Sequence, residues 1–201
     1  MGSEFEDECL LLTTILNIHN KGEPIELDPM FSKGNIYRGL QEPELKFDLR
    51  VEREDVKLGD ATDLKDIKSN SIRSVCLDPP FCFGIHGKVK ENISAQRFTV
   101  LQNFNSLEFL YKGILKEAFR VLKDSGLLLF KCQDYTDSKT IMTHCLVWKW
   151  ALEYGFYAQD LAILINRKRI FNPNLKQRHL RKTHCYYWVF RKTKARHSSQ
   201  A

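Results

Sequence analysis

An acidic residue followed by two prolines and an aromatic residue stands at Asp78-Pro79-Pro80-Phe81. Consecutive prolines fix the backbone and carry no amide hydrogen, so their carbonyls remain available as acceptors. An Asp78 oxygen and the Pro79 carbonyl could accept both hydrogens of an aromatic amino group and direct its nitrogen lone pair at a methyl donor. Phe81 offers a ring face for stacking. The segment predicts amino-group methylation, and a plain turn after a strand is the alternative.

The elements that must position this segment follow from the alternation of helix and strand patterns. Ser71–Leu77 is predicted to be a buried strand that runs directly into Asp78, and Ser106–Leu122 has apolar residues at helical spacing. The alternation predicts an α/β fold with a mostly parallel seven-stranded sheet flanked by helices, which ends in a hairpin-like pair of strands. Such sheets bind ligands at the carboxyl ends of their strands, and Asp78 falls at one of these ends.

The tetrapeptide resembles the D/N/S-P-P-Y/F/W motif of the DNA N6-adenine and N4-cytosine amino-methyltransferases. The similarity is to compact phage- and plasmid-type DNA methylases and spans about residues 25–192. It implies a Rossmann-like fold, S-adenosyl-L-methionine as cofactor, and nucleic acid as partner, with DNA favoured and RNA possible. The stretches that carry it are Asp28–Gly34, Phe47-Asp48, Asp78–Phe81, Phe130–Asp134 and His179–Phe190.

The resemblance also implies a cofactor site. Leu27–Gly34 resembles the family's L-D-P-F-x-G-x-G loop but has one glycine where two are usual. Gly34 would let the backbone approach the ligand, Asp28 would accept from its amino group, and Asp48 would accept from ribose hydroxyls. Strand-end turns and exposed charges are the alternatives for these residues. The predicted cofactor-binding residues are Asp28, Pro29, Phe31, Gly34, Asp48, Asp60, Ala61 and Asp78, with Asp60 and Ala61 placed against the adenine.

Positive charge is concentrated at one end of the chain. The net charge is +6, and residues 161–201 hold 11 Lys and Arg residues without an acidic one. This asymmetry favours a phosphate-facing surface, with a solvated basic loop as the alternative. Lys131 and Gln133 are predicted in the target-base pocket, and the loop 82–101 is predicted to close over it. The other predicted nucleic-acid-binding residues are His86, Lys88, Arg167, Lys168, Arg169, Arg178, Arg181 and Lys182.

The chain is predicted to hold a single methyltransferase domain at residues 6–192. Residues 1–5 read like a remnant of cloning, and residues 193–201 are predicted to be a disordered basic tail. A separate recognition domain has no room, so sequence choice would need these loops, a homodimer or a separate specificity partner. No apolar run is long enough for a membrane span, which predicts an intracellular protein, cytoplasmic or, in a eukaryote, nuclear. The six scattered cysteines predict reduced thiols and no metal site.

Several functions stay open at this level. The tetrapeptide does not distinguish adenine N6 from cytosine N4, or DNA from RNA. The single-glycine loop would suit a non-catalytic nucleic-acid-binding module that retains the fold, but an intact Asp78 opposes that interpretation. Methylation of protein glutamine would favour Asn at the position of Asp78.

Overall fold

The computed structural model describes residues 2–82, 101–136, 139–166, 179–180 and 182–194. Three α-helices are present in these ranges: α1 (Glu8–His19), α2 (Phe104–Val121) and α3 (Thr143–Glu153), with a 3₁₀ turn at Asn35–Tyr37. The strands are β1 (Glu4–Phe5), β2 (Leu27–Asp28), β3 (Leu45–Asp48), β4 (Lys57–Leu58), β5 (Ile72–Leu77), β6 (Leu122–Cys132), β7 (Tyr135–Thr136), β8 (Thr140–Ile141), β9 (Phe156–Ile165) and β10 (His184–Lys192).

Eight of these strands form one sheet in the order β1-β9-β10-β6-β5-β2-β3-β4. β10 pairs antiparallel with both of its neighbours, and the other pairings are parallel. The expectation of seven strands is wrong by one strand. The additional strand is Glu4–Phe5, which was expected to lie outside the fold and which pairs in parallel with Ile163 and Leu164 of β9.

The central strands are apolar because both of their faces are covered. Leu128 and Phe130 of β6 pack with α2 and α3, whereas Leu127 and Leu129 pack with α1 on the opposite face. Successive side chains of a strand point to opposite faces, so a continuous apolar run can fill two cores at once. β5 is buried in the same way and places Asp78 directly after its last residue.

α2 is fixed at both ends by polar contacts. The Asn103 side chain accepts from the Ser106 backbone amide at 3.0 Å and caps the first turn. At the other end, the buried Lys192 ammonium donates to the carbonyls of Phe119 and Leu122, both at 2.7 Å. The last carbonyls of a helix have no partner within the helix, so Lys192 supplies a donor that this end requires. α2 therefore has a fixed position against β5 and β6.

None of the three helices in the described ranges is both long and apolar enough to cross a membrane.

Candidate active site

Four strand ends meet at one edge of the sheet. β6, β5, β2 and β3 lie side by side in this order and run parallel, so their carboxyl ends lie at the same edge of the sheet. This edge carries Asp28, Asp48, Asp78 and Lys131. A cavity of about 410 Å³ opens there. It brings together most of the predicted cofactor-binding residues: Asp28, Pro29, Phe31, Asp48, Asp60, Ala61 and Asp78 all line it.

Gly34 shapes the loop beneath this cavity. Its backbone is left-handed (φ 69°), and a Cβ built on it would lie 2.3 Å from Cζ of Phe31. The Phe31 ring is buried and stacks on Tyr37, with 5.8 Å between the ring centroids. The close approach expected of Gly34 toward a ligand is, in this structure, an approach to Phe31. Glycine is needed here for both its conformation and its lack of a side chain.

Ser32 supplies a second left-handed position in the same loop. In the family pattern the first glycine aligns with Ser32, whose φ is 50°. The backbone amide of Ser32 donates to Oδ2 of Asp48 at 2.8 Å, while Oδ1 of Asp48 accepts from the amide of Arg50 at 2.8 Å. The loop thus keeps two left-handed residues although it has one glycine. Asp48 fixes Ser32, and among the described residues each of its oxygens accepts one hydrogen bond, although each can accept more.

Asp28 is buried at the floor of the cavity, with 1% of its surface exposed. Its Oδ1 accepts from the backbone amide of Met30 at 2.8 Å, and its Oδ2 accepts from the Tyr37 hydroxyl at 2.8 Å. Burial raises the pKa of Asp28 to about 7, although both hydrogen bonds act in the opposite direction. Asp28 can therefore change its charge close to neutral pH.

Asp60 and Ala61 form the far wall of the cavity. Oδ1 of Asp60 accepts from the backbone amide and the hydroxyl of Thr62, at 2.8 and 2.7 Å, which holds the turn after β4. Asp60 is exposed and Ala61 is buried. The pair thus presents an acceptor next to an apolar surface.

The Asp78-Pro79-Pro80-Phe81 segment is held from two sides. Oδ2 of Asp78 accepts from the Lys131 ammonium at 3.1 Å, and the Pro80 carbonyl accepts from the Tyr111 hydroxyl at 3.2 Å. In the described part of the chain, no donor bonds to Oδ1 of Asp78 or to the Pro79 carbonyl. Burial raises the pKa of the Asp78 carboxyl, and the Lys131 ammonium offsets this only in part. Within the described residues, these two oxygens are therefore acceptors without a bound donor.

Lys131 and Gln133 have partners within the protein. The Lys131 ammonium lies between Asp78 and Glu8, and 13% of its side chain is exposed. The Gln133 amide donates to the carbonyl of His184 at 2.7 Å and to that of Lys182 at 3.3 Å, so it ties the end of β6 to the start of β10. Both residues lie at the predicted edge of the sheet, but these contacts stabilise the site from within.

The structure adds residues that the sequence pattern did not assign to the site. Tyr37 donates to Asp28, Tyr111 donates to the carbonyl of Pro80, and Glu8 forms an ion pair with Lys131. The signal for Tyr111 was a tyrosine within the apolar stripe of a helix, because a buried phenol usually finds an acceptor. Of the remaining predicted contacts, Lys182 is half-buried beside Gln133. His86, Lys88, Arg167, Lys168, Arg169, Arg178 and Arg181 lie outside the described residues.

A sequence model of the DNA methylase family, N6_N4_Mtase, matches residues 72–201. The match begins with β5 and includes Asp78-Pro79-Pro80-Phe81, so the resemblance drawn from the sequence is confirmed. No curated protein sequence matches the chain at a significant level.

Solved structures of methyltransferases share the fold. The 1,6-didemethyltoxoflavin-N1-methyltransferase of Burkholderia thailandensis, solved with 1,6-didemethyltoxoflavin and S-adenosylhomocysteine, is 14% identical with a TM-score of 0.57, and the match covers 94% of this chain and 80% of that one. The PvuII DNA methyltransferase, specific for cytosine N4, is 16% identical with a TM-score of 0.50, covering 68% and 48%. The predicted Rossmann-like methyltransferase fold is confirmed.

A third structure is a Thermus thermophilus protein described as a DNA modification methylase and solved with S-adenosyl-L-methionine. It is 17% identical with a TM-score of 0.49, and the match covers 71% of this chain and 56% of that one. The chain thus spans little more than half the length of this neighbour.

Proposed function

The chain belongs to the DNA methylase family, and from this premise we propose that it methylates the exocyclic amino group of a nucleobase, adenine N6 or cytosine N4, in DNA. The observation that carries the proposal is a pair of acceptors at the end of β5 to which no donor among the described residues bonds. Oδ1 of Asp78 and the Pro79 carbonyl are the acceptors that both hydrogens of one amino group require. They lie beside a cavity lined by four further carboxylates, those of Asp28, Asp48, Glu52 and Asp60.

The cavity suits the methyl donor of this family, S-adenosyl-L-methionine. Its volume of about 410 Å³ lies within the range of small-molecule sites. The donor offers an ammonium group, ribose hydroxyls and an adenine amino group, and the cavity offers acceptors for each. We assign Asp28 to the ammonium, Asp48 to the ribose, and Asp60 with Ala61 to the adenine. When bound, the cofactor supplies an electrophilic methyl group.

The protein's own part in the reaction is orientation. Asp78 and Pro79 accept the two hydrogens of the amino group, so the nitrogen lone pair leaves conjugation with the ring and points out of the ring plane. Phe81 stacks on the base. Transfer of the methyl group leaves a positive charge on the nitrogen, which is therefore acidic and can lose one proton to the Asp78 carboxylate or to water without a strong base. No covalent bond to the enzyme is required, in contrast to chemistry that uses a nucleophilic side chain.

The nucleic acid would be held by the basic end of the chain. Residues 161–201 carry 11 Lys and Arg residues and no acidic residue, so they can contact the phosphates. A target base inside a duplex must be flipped out of the stack to reach Asp78. Sequence choice would depend on these residues, on the 82–101 loop, on a homodimer or on a specificity partner. The site of action would be that of the DNA, which is the cytoplasm or, in a eukaryote, the nucleus.

The decisive experiment supplies tritiated S-adenosyl-L-methionine together with unmethylated DNA or RNA, followed by mass spectrometry of the nucleosides. We expect N6-methyladenine or N4-methylcytosine in DNA. Asp78→Ala should abolish transfer while retaining cofactor binding by calorimetry. The matched control is Asp66→Ala, at an exposed aspartate that does not line the cavity, which should transfer at the wild-type rate.

Other outcomes separate the alternatives. Label in RNA alone would identify an RNA amino-methyltransferase, and cofactor binding without transfer to either polymer would contradict the proposed substrate. A protein that binds DNA but releases no heat with the cofactor would be a non-catalytic module. Full transfer by Asp78→Ala would show that the assigned site is wrong.

A further inference from the structure

Lys131 is enclosed by acceptors that come from three different elements. Its ammonium lies 2.8 Å from Oε1 of Glu8 in α1 and 3.1 Å from Oδ2 of Asp78 at the end of β5. The ring of Tyr187 in β10 lies beneath the ammonium, 5.6 Å from nitrogen to centroid. The Tyr187 hydroxyl donates to the same oxygen of Glu8. A lysine held in this way has little freedom to reach a phosphate.

Glu8 is itself held in place. The side chain of Asp7 accepts from the backbone amide of Leu10 at 2.8 Å, so it caps α1 and fixes Glu8 in the first turn of the helix. Apolar residues bury the helix against the sheet, namely Leu11, Leu12 and Ile15. The orientation of Glu8 is thereby set by the packing of an N-terminal helix, far in sequence from Asp78.

The arrangement divides the two oxygens of Asp78 between two tasks. Lys131 occupies Oδ2, while Oδ1 is open within the described part of the chain. A carboxylate anchored through one oxygen has a fixed plane, so the other oxygen is presented in one direction. Preorganised acceptors of this kind reduce the reorganisation that a reaction would otherwise require.

We propose that Lys131 and Glu8 are positioning residues for the methyl transfer: Glu8 fixes Lys131, and Lys131 fixes the orientation and negative charge of Asp78. The inference rests on the proposed function. It makes α1 a part of the catalytic apparatus and gives Lys131 a task other than binding nucleic acid.

The two positioning residues act on Asp78 with opposite signs. Lys131 lowers the pKa of Asp78, and the nearby negative charge of Glu8 raises it. Removing the cation should therefore shift the titration of Asp78 to higher pH. The other titratable groups around Asp78 are Asp28 of β2, Cys76 of β5, Tyr111 of α2, Cys132 of β6 and Tyr187 of β10.

The test is an NMR titration of the ¹³C-labelled Asp78 carboxyl in the full chain, which needs no enzymatic activity. We expect the midpoint to rise in Lys131→Met, and to be higher in the double variant Lys131→Met/Glu8→Gln than in Glu8→Gln, because each comparison removes the Lys131 cation. Lys65→Met, at an exposed lysine that does not line the cavity, is the control and should leave the midpoint unchanged. Because Lys131→Met leaves two carboxylates together without their cation and can fail to fold, Glu8→Gln and the double variant Lys131→Met/Glu8→Gln provide the second measurement. A midpoint in Lys131→Met at or below that of the wild type, or one in the double variant at or below that of Glu8→Gln, would overturn the proposal, and a wild-type kcat in Glu8→Gln would remove the role given to Glu8.

Activity then gives an independent readout. At neutral pH and saturating DNA, Lys131→Met should lower kcat by about tenfold or more, with a KM for DNA close to that of the wild type, because the lost interaction acts in the transition state. Lys131→Arg should restore part of kcat. Unchanged kcat with weakened DNA binding would identify Lys131 as a phosphate contact and contradict the proposal. A wild-type protein that transfers no methyl group would refute the proposed function, while the titration would still decide the arrangement around Asp78.

Discussion

The hydroxyl of Tyr111 donates a hydrogen bond of 3.2 Å to the carbonyl of Pro80. Tyr111 is fully buried in α2 and packs edge-on against Phe130 and Trp150, with centroid distances of 5.3 and 6.3 Å. The bond engages the carbonyl next to that of Pro79. It links the helix that covers the sheet to the segment that we assign to catalysis.

Tyr111→Phe should therefore affect catalysis more than it affects folding. The ring still fills its site, so the loss in the free energy of unfolding should be about 1 kcal/mol, the net contribution of one hydrogen bond. The Pro80 carbonyl would lose its anchor and the turn could rotate, so kcat should fall several-fold with unchanged cofactor affinity. Denaturant titration and steady-state kinetics measure the two effects. Tyr157→Phe, at an exposed tyrosine, is the control, and equal kcat in both variants would remove the role given to Tyr111.

Gly34→Ala should destabilise the protein and weaken cofactor binding. The new methyl group would overlap the buried Phe31 ring, and the left-handed backbone adds strain. Gly22→Ala is a matched control because Gly22 is also left-handed (φ 77°), but a Cβ built on it would make only an ordinary van der Waals contact, 3.4 Å from Oδ1 of Asn17. We expect about 1–2 kcal/mol from the backbone in both variants and a further ~1–3 kcal/mol from overpacking in Gly34→Ala alone. Equal melting temperatures for the two variants would contradict the contact between Gly34 and Phe31.

Ser32→Gly tests whether the single-glycine loop impairs cofactor binding. Glycine adopts the left-handed conformation without strain, but it costs more conformational entropy on folding, so the net gain should be at most about 1 kcal/mol. The amide of residue 32 can still donate to Asp48, so we expect cofactor affinity within about twofold of the wild type, consistent with one hydrogen bond kept in place. Ser125→Gly, at another left-handed serine, is the control. A tenfold gain in affinity for Ser32→Gly alone would show that serine weakens the site.

The pKa of Asp28, raised to about 7 from an ordinary value of 3.8, determines the direction in which stability changes with pH. Between these two values the folded protein keeps a proton that the unfolded chain has lost, so the free energy of unfolding should fall as pH rises through this window. The fall is at most about 4 kcal/mol. Asp28→Asn should not show this fall. The free energy of unfolding of the variant, compared with that of the wild type, should therefore be more favourable at pH 8 than at pH 5.

Cofactor binding should depend on pH in the opposite sense. An ammonium group binds an ionised carboxylate more tightly, so affinity of the wild type for S-adenosyl-L-methionine should rise between pH 6 and 8, about one unit on either side of the raised pKa. The affinity of Asp28→Asn should be lower and nearly flat over this range. Denaturation at both pH values and calorimetry across the series measure the two trends. A pH-independent affinity in the wild type would exclude Asp28 as the partner of the ammonium.

The sequence by itself determined the local features of this protein. An apolar strand that runs into Asp78-Pro79-Pro80-Phe81 is recognisable because its burial pattern and its two prolines depend on neighbouring residues alone. The alternation of helix and strand predicted the α/β class, and the strand pattern predicted that Asp78 stands at the carboxyl end of a strand, where such sheets bind ligands. These inferences succeed because parallel strands bring their carboxyl ends together whatever the details of packing.

Only the tertiary structure decided which side chains support that edge. Glu8, Tyr111 and Lys131 meet the site from three elements, and their contacts depend on how helices dock on the sheet, which no local pattern encodes. The pairing of Glu4–Phe5 with β9 likewise required the completed sheet edge. The left-handed backbone of Ser32 is set by a bond from its amide to Asp48, sixteen residues away. The sequence specifies which residues could take part in the reaction, but the packing of helices on the sheet determines which partners they contact.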